Sequence, residues 1–250
     1  MARLESIYRY PVKGLSPERL PAVRLEAGQT IPADRKHAIE NGPSGFDPAA
    51  ASYLPKTRFL MLMRNERLAT LDTSYEDATH TLTIRHEGRE AARGDLSTKE
   101  GRLTVEAFFR RFMPNELAGP PRVLQAVGHS FSDVSAKVVS IINLASVAAL
   151  ETLLGVPVHP LRFRANLYVD GWPAWSELGL VGQEIAIGRA RLKVTKRIMR
   201  CAATNVDPES GIRDLQIPAT LMRTLDHADC GIYARVVEGG EIAPGAAINP

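Results

Sequence analysis

A chain of 250 residues, 44% hydrophobic and 24% charged, has the makeup of an ordinary globular protein and can bury a core without disulfide or metal staples. Its net charge of +3 suits a small anionic ligand and argues against a role in coating nucleic acid. Two cysteines without a C-x-x-C exclude a four-cysteine iron–sulfur or zinc centre, and six scattered histidines without an H-E-x-x-H argue against a histidine zinc site.

The first third reads as β. Residues 4–10 and 22–25 alternate as strands, residues 59–63 form an apolar run expected to be a buried strand, and residues 81–85 alternate as a half-buried one. Residues 41–56 are rich in Gly, Pro and Ala and predict a loop of the length that is usually functional. Ser97-Thr98-Lys99-Glu100 predicts a capping box, followed by Val105, Phe108, Phe109 and Phe112 at helical spacing and a stop at Pro114. That helix sets the expected division, an N-terminal lobe over 1–94 and a second domain over 95–250.

In the second half Ser146 is the expected cap of a short helix over 147–154, closed by Gly155. Residues 162–169 read as a strand. Residues 183–187 and 190–194 flank Gly188-Arg189 as a hairpin. Pro218 opens a short helix to 225, and residues 231–237 give a last strand. The fold class expected is α+β, dominated by strands. No apolar run reaches the ~20 residues that span a bilayer, and the first residues lack a secretory pattern, so the expectation is a cytoplasmic protein with no membrane partner.

Six cations lie between Arg189 and Arg200, and Cys201 follows at once. On a strand, Arg189, Arg191 and Lys193 share one face. Cationic neighbours favour a thiolate, the form that attacks electrophiles and binds soft metals. A small buried cysteine beside a solvated charged face fits the same residues. If Cys201 holds a metal, the other ligands come from something other than cysteine. Arg162 and Arg164, two apart on the expected strand, point the same way and together suit one anion. Lys13 before Gly14, and Asp34-Arg35-Lys36-His37, are further phosphate candidates, with solvated surface charge as the alternative for each.

Taken in order, these segments resemble the MOSC family, named for the C-terminal domain of molybdenum cofactor sulfurase. The likeness runs from Ile7-Tyr8-Arg9-Tyr10-Pro11-Val12-Lys13-Gly14 through Asp34-Arg35, Asp133-Val134-Ser135 and Arg162-Phe163-Arg164-Ala165-Asn166. It is strongest from Arg200-Cys201 to Asp207-Pro208-Glu209-Ser210-Gly211, and closes at Gly231-Ile232-Tyr233. Within the family it is most similar to the mitochondrial amidoxime-reducing component and its bacterial counterparts. The resemblance implies an N-terminal β-barrel-like lobe packed on a MOSC β-barrel with peripheral helices, and a molybdenum cofactor of the molybdopterin type between them. It implies Cys201 as catalytic residue and metal ligand, with Lys13 and Arg35 at the phosphate end and Arg164 and Asn166 on the pterin. Ser135 would line the site, and Arg200 would belong to the same cofactor-binding set.

The implied activity is reduction of N-hydroxylated or N-oxide-like small molecules with electrons from a separate protein. The alternative is a persulfide carrier that takes sulfur from a donor onto Cys201 for metallocentre or cofactor maturation. A basic nucleic-acid module ranks far behind, because no aromatic residue interrupts the run from Arg189 to Arg200 to stack on bases. Gly14 stands where the family often has serine, which puts one phosphate contact in doubt.

Overall fold

The computed structural model describes residues 1–249. Its core is a closed seven-stranded barrel. Around the barrel run the strands Leu167–Asp170, Val139–Asn143, Asp229–Glu238, Ala190–Met199, Glu184–Ile187, Ala247–Asn249 and Ala2–Arg9, the last pairing back onto Leu167–Asp170. All these pairings are antiparallel except Leu167–Asp170 with Val139–Asn143. Alternation turns Leu4, Ile141, Val169, Ile187, Leu192, Val194, Ala234 and Ile248 into one apolar interior, which is what holds the register.

A second core lies beside it. The strands Leu71–Glu76, Thr81–His86 and Arg89–Asp95 form a meander, and His37–Asn41 pairs with Pro121–Gln125. Helix α1 (Lys99–Phe112) buries Val105, Phe108 and Phe109 against this lobe, in one cluster with Leu82, Ile84 and Val123. The division expected at 94/95 therefore cuts through that core. Its apolar face assigns α1 to the first lobe, while the strand Ala2–Arg9 is part of the barrel.

The α+β, strand-dominated class is as expected, as are α1, the hairpin turning at Gly188-Arg189 and the helix α3 (Ile217–Leu225). Four local readings are corrected. The cap of α1 is Thr98, whose hydroxyl accepts from Gly101 N at 3.0 Å, while Ser97 turns to Asp95. Helix α2 (Leu144–Leu154) is capped by Asn143 rather than Ser146, whose hydroxyl instead bonds the buried Glu177 carboxylate at 2.8 Å. Residues 59–62 are buried but 59–63 are not a strand; only Phe59 makes a bridge, to Glu40, before a turn. Residues 162–169 begin as the 3-10 helix Pro160–Phe163, and the strand starts only at Leu167.

Helix α1 meets the meander where two glycines face each other. A Cβ on Gly101 would fall 2.0 Å from Asp95 O, and one on Gly94 would fall 2.3 Å from Gly101 O. Alanine ordinarily gains about 1 kcal/mol over glycine in a helix. Here both obstructing atoms are backbone, so the Gly101→Ala chain is expected to unfold at lower urea than the wild type, by roughly 1–3 kcal/mol. An unchanged urea midpoint would show that the helix can slide away.

Candidate functional site

A cavity of about 430 Å³ opens between the lobes, within the roughly 300–1,000 Å³ common for small-molecule sites. The first lobe contributes Lys13, Arg35, Lys56 and residues 61–63. The barrel contributes Ser140, Asn166, Tyr233 and residues 196–201. Among the expected site residues, Lys13, Arg35, Arg164, Asn166, Arg200 and Cys201 all reach this one space. Ser135 does not: it is exposed and off the wall, because its loop turns Asp133 inward onto Lys13.

Cys201 ends the run that follows the strand Ala190–Met199 and stands before the 3-10 turn Ala202–Asn205. It is partly exposed, and its Sγ lies 3.1 Å from Lys56 Nζ. Burial works against the charge on Lys56, but the bond to Sγ and the nearby Asp133 hold its pKa above the usual lysine value. Lys56 closes the long loop that the sequence marks as functional, yet nothing in the sequence ties it to Cys201, 145 residues away. Cys230 is fully buried, and burial pushes its thiol up to about 12, so it offers no thiolate. Among the described residues no cluster of three His, Cys, Asp or Glu side chains suits a metal ion.

The basic wall has internal structure. Lys13 is buried, paired with Asp133 and bonded to Phe131 O at 2.9 Å. Burial opposes ionisation of Asp133, but Lys13, Lys56 and Arg35 hold its carboxyl down at about 2. Arg35 and Arg164 both adopt the left-handed conformation, each at φ 50°. That conformation costs a non-glycine residue on the order of 1 kcal/mol and aims the two side chains at one place. Their guanidinium carbons lie 4.6 and 4.3 Å from the centre of the Tyr10 ring. Arg35 also pairs with Asp34 at 2.5 Å, whereas Arg164 meets no carboxylate among the described residues and donates to Leu15 O at 2.7 Å. Burial, and then the charge of Arg35, lower the pKa of Arg164.

Arg162 is not the partner of Arg164. The left-handed turn at Arg164 breaks the expected strand face, and Arg162 instead holds Asp214 through two bonds of 2.7 Å. Asn166 uses its side chain structurally: Oδ1 accepts from Ser140 N and Oγ, and Nδ2 donates to Tyr8 O at 3.2 Å. Arg200 donates to Cys230 O at 2.7 Å and Phe163 O at 3.0 Å, leaving its buried Nη2 without a partner. Gly14 has φ +84°, and a Cβ there would come 3.0 Å from Leu60 O, so a side chain at this position would be strained.

Tyr10 is the shared platform of the two arginines, fully buried and with its hydroxyl without a hydrogen-bond partner among the described residues. Tyr10→Phe keeps the ring and removes an unsatisfied group, so its stability is expected within about 1 kcal/mol of wild type. Tyr10→Ala empties the platform and is expected to lose roughly 3–5 kcal/mol. Equal thermal midpoints for the two variants would refute the platform.

The fold and cavity together define a closed-barrel protein with a basic small-molecule cavity at a lone thiol. The chain belongs to the MOSC family: residues 126–249 match the MOSC domain and residues 1–113 the MOSC N-terminal beta barrel domain. It is 33% identical over 98 residues to mitochondrial amidoxime reducing component 2 of Bos taurus, covering 38% of this chain and 29% of that protein. It is 29% identical over 124 residues to mitochondrial amidoxime-reducing component 1 of Homo sapiens, covering 50% of this chain and 35% of that protein. The match thus spans about a third of the length of these curated relatives. The solved YuaD protein of Bacillus subtilis aligns over 99% of this chain and 94% of its own, at 13% identity and a TM-score of 0.47. YiiM of Geobacillus stearothermophilus aligns over 44% and 52%, at 21% identity and a TM-score of 0.36. Among the described residues no helix is long and apolar enough to cross a membrane.

Proposed function

We propose that this chain binds a molybdenum cofactor and reduces N-hydroxylated or N-oxide-like small molecules with electrons from a separate protein. The observation that carries the reading is a single accessible thiol at the rim of a cavity whose cations include groups left without anions. Among the described residues Arg164 meets no carboxylate, and the buried Arg200 Nη2 has no acceptor. Such donors suit a phosphorylated, anionic heterocycle.

Cys201 would hold the metal, and the remaining ligands would come from the cofactor itself. Lys13 and Arg35 suit the phosphate, and Arg164 the pterin. Asn166 acts mainly by fixing the wall, since its polar atoms face Ser140 and Tyr8. When bound, the cofactor supplies two-electron oxygen-atom transfer, and the protein supplies orientation and electrostatics. Lys56 keeps positive charge beside the sulfur, and the apolar side chains Met61, Leu62 and Ile198 restrict water on the cavity wall. The relatives' names support the reading through the reduction of amidoximes that those names state.

The test is the content of protein purified from a host that makes the cofactor. Molybdenum near one atom per chain, with a fluorescent pterin after oxidative release, is the expected result. Protein free of both but carrying a persulfide mass on Cys201 overturns it in favour of sulfur transfer.

A further inference from the structure

Half of the basic run before Cys201 plays no part in the cavity. Arg189, Arg191 and Lys193 lie off its wall, toward the far end of the hairpin. Lys193 stands directly opposite Arg235 of the strand Asp229–Glu238. Like charges in that position repel. Arg191 is neutralised by Glu184 at 2.7 Å, but Lys193 and Arg235 have no carboxylate partner among the described residues. Glu184, opposite Lys193 on its other side, is held by Arg191 at 2.7 Å and makes no salt bridge with Lys193.

The pair is continuous with the cavity mouth. Tyr233, two residues before Arg235 and roughly 7 Å along the same face, stands opposite Lys196, whose Nζ lies 5.6 Å from the Tyr233 ring centre. Tyr233, Lys196, Arg197 and Met199 all line the cavity. Met199 is 76% exposed, two residues from Cys201. A flexible apolar side chain within a charged surround is the composition of a protein interface. The face is also interrupted by acids: Glu184 opposite Lys193, Glu238 opposite Arg191 and Asp229 opposite Met199. Interspersed carboxylates disfavour a uniform polyanion such as a nucleic-acid backbone and fit discrete acidic side chains.

We propose that the outer face of the strands Ala190–Met199 and Asp229–Glu238 docks an electron-transfer protein bearing surface carboxylates, with Lys193 and Arg235 as the charge-recognition pair and Met199 as the apolar contact beside the cavity. The proposal rests on the reductase reading for its choice of partner. Docking there sets the partner against the mouth that leads to Cys201. Electrostatic complementarity raises the association rate and makes it fall with salt.

The experiment uses cofactor-loaded protein and an acidic [2Fe–2S] ferredoxin as probe. Binding is followed by titration calorimetry at low and high salt, and turnover is driven either by reduced ferredoxin or by dithionite. The Lys193→Glu/Arg235→Glu chain is expected to bind ferredoxin about tenfold or more weakly at low salt. Ferredoxin-driven turnover should fall alike, while molybdenum content and dithionite-driven turnover stay at wild-type values. Lys193→Glu alone keeps Arg235 and faces it with opposite charge on one side and Glu184 with like charge on the other, so it should show a smaller loss of ferredoxin affinity than the double variant. Wild-type affinity for ferredoxin in both reversed chains overturns the docking face, as does a wild type that binds duplex DNA on these residues and no ferredoxin. Loaded protein that turns over nothing with dithionite refutes the reductase reading instead, and the calorimetry then judges the surface by itself.

Discussion

Cys201→Ala protein, made beside the wild type in the same host, is expected to contain molybdenum only at background level and to have no reductase turnover. The thiol lies outside every hydrophobic core cluster and is partly exposed, so its loss should leave stability within about 1 kcal/mol of wild type. Loss of metal without loss of fold therefore reports ligation. Lys56→Ala gives the graded comparison. It removes the cation 3.1 Å from Sγ but not the ligand, so it should weaken cofactor retention by roughly 10–100-fold, the size of effect seen when a ligand's supporting group is removed. Metal analysis and pterin fluorescence read both variants. Wild-type molybdenum in Cys201→Ala would end the assignment.

Arg162→Ala is expected to destabilise the fold. The guanidinium is 3% exposed and joins Asp214, Asp207 at 3.0 Å and Asn205 O at 3.2 Å. Its removal leaves two carboxylates close together with no cation between them. Asp207 and Asp214 are 22% and 43% exposed, so water can solvate the carboxylates left behind, and the loss of these charged hydrogen bonds is expected to cost roughly 1–3 kcal/mol, measured as a lower urea midpoint. Arg162→Lys should recover little, because one ammonium cannot grip both oxygens of Asp214. The pH dependence has a fixed sign. Burial works to raise the carboxyl of Asp207, but bonds from Ser210 and Glu209 and then the charge of Arg162 hold it below the usual range. A depressed carboxyl stabilises above its unfolded pKa, and that contribution disappears as pH falls through the folded value. The gap between wild type and Arg162→Ala should therefore be full at neutral pH and shrink below about pH 4. A constant gap down to pH 3 would show that the carboxylates are not its source.

What was legible in the sequence was what neighbours in the chain determine. The apolar spacing from Val105 to Phe112 gave α1, and alternation on both sides of Gly188-Arg189 gave the hairpin. Local patterns misled where distant groups competed for the same atoms. Ser146 has the chemistry of a cap, but Glu177 takes its hydroxyl. Residues 59–63 are apolar enough for a strand, but only Phe59 finds a strand to pair with. The arginine pair failed for the same reason: Asp207 and Asp214 claim Arg162, and a left-handed turn redirects Arg164. In the candidate site the motif residues reach one cavity except Ser135. Lys56 went unseen because no periodicity marks a side chain arriving from the end of a long loop, and the platform under Arg35 and Arg164 was hidden inside a residue that reads as strand.

The barrel closes only when Ala2–Arg9 lies between Leu167–Asp170 and Ala247–Asn249. Ala2–Arg9 must therefore wait for a strand far later in the chain before the ring has no free edge. Meanwhile the facing edges of Ala2–Arg9 and Glu184–Ile187 carry unmatched amides, a condition under which nascent chains associate with one another. Closure across such a sequence span is slow by its topology, so the yield of folded protein should depend on chaperone supply and on a growth temperature that slows aggregation.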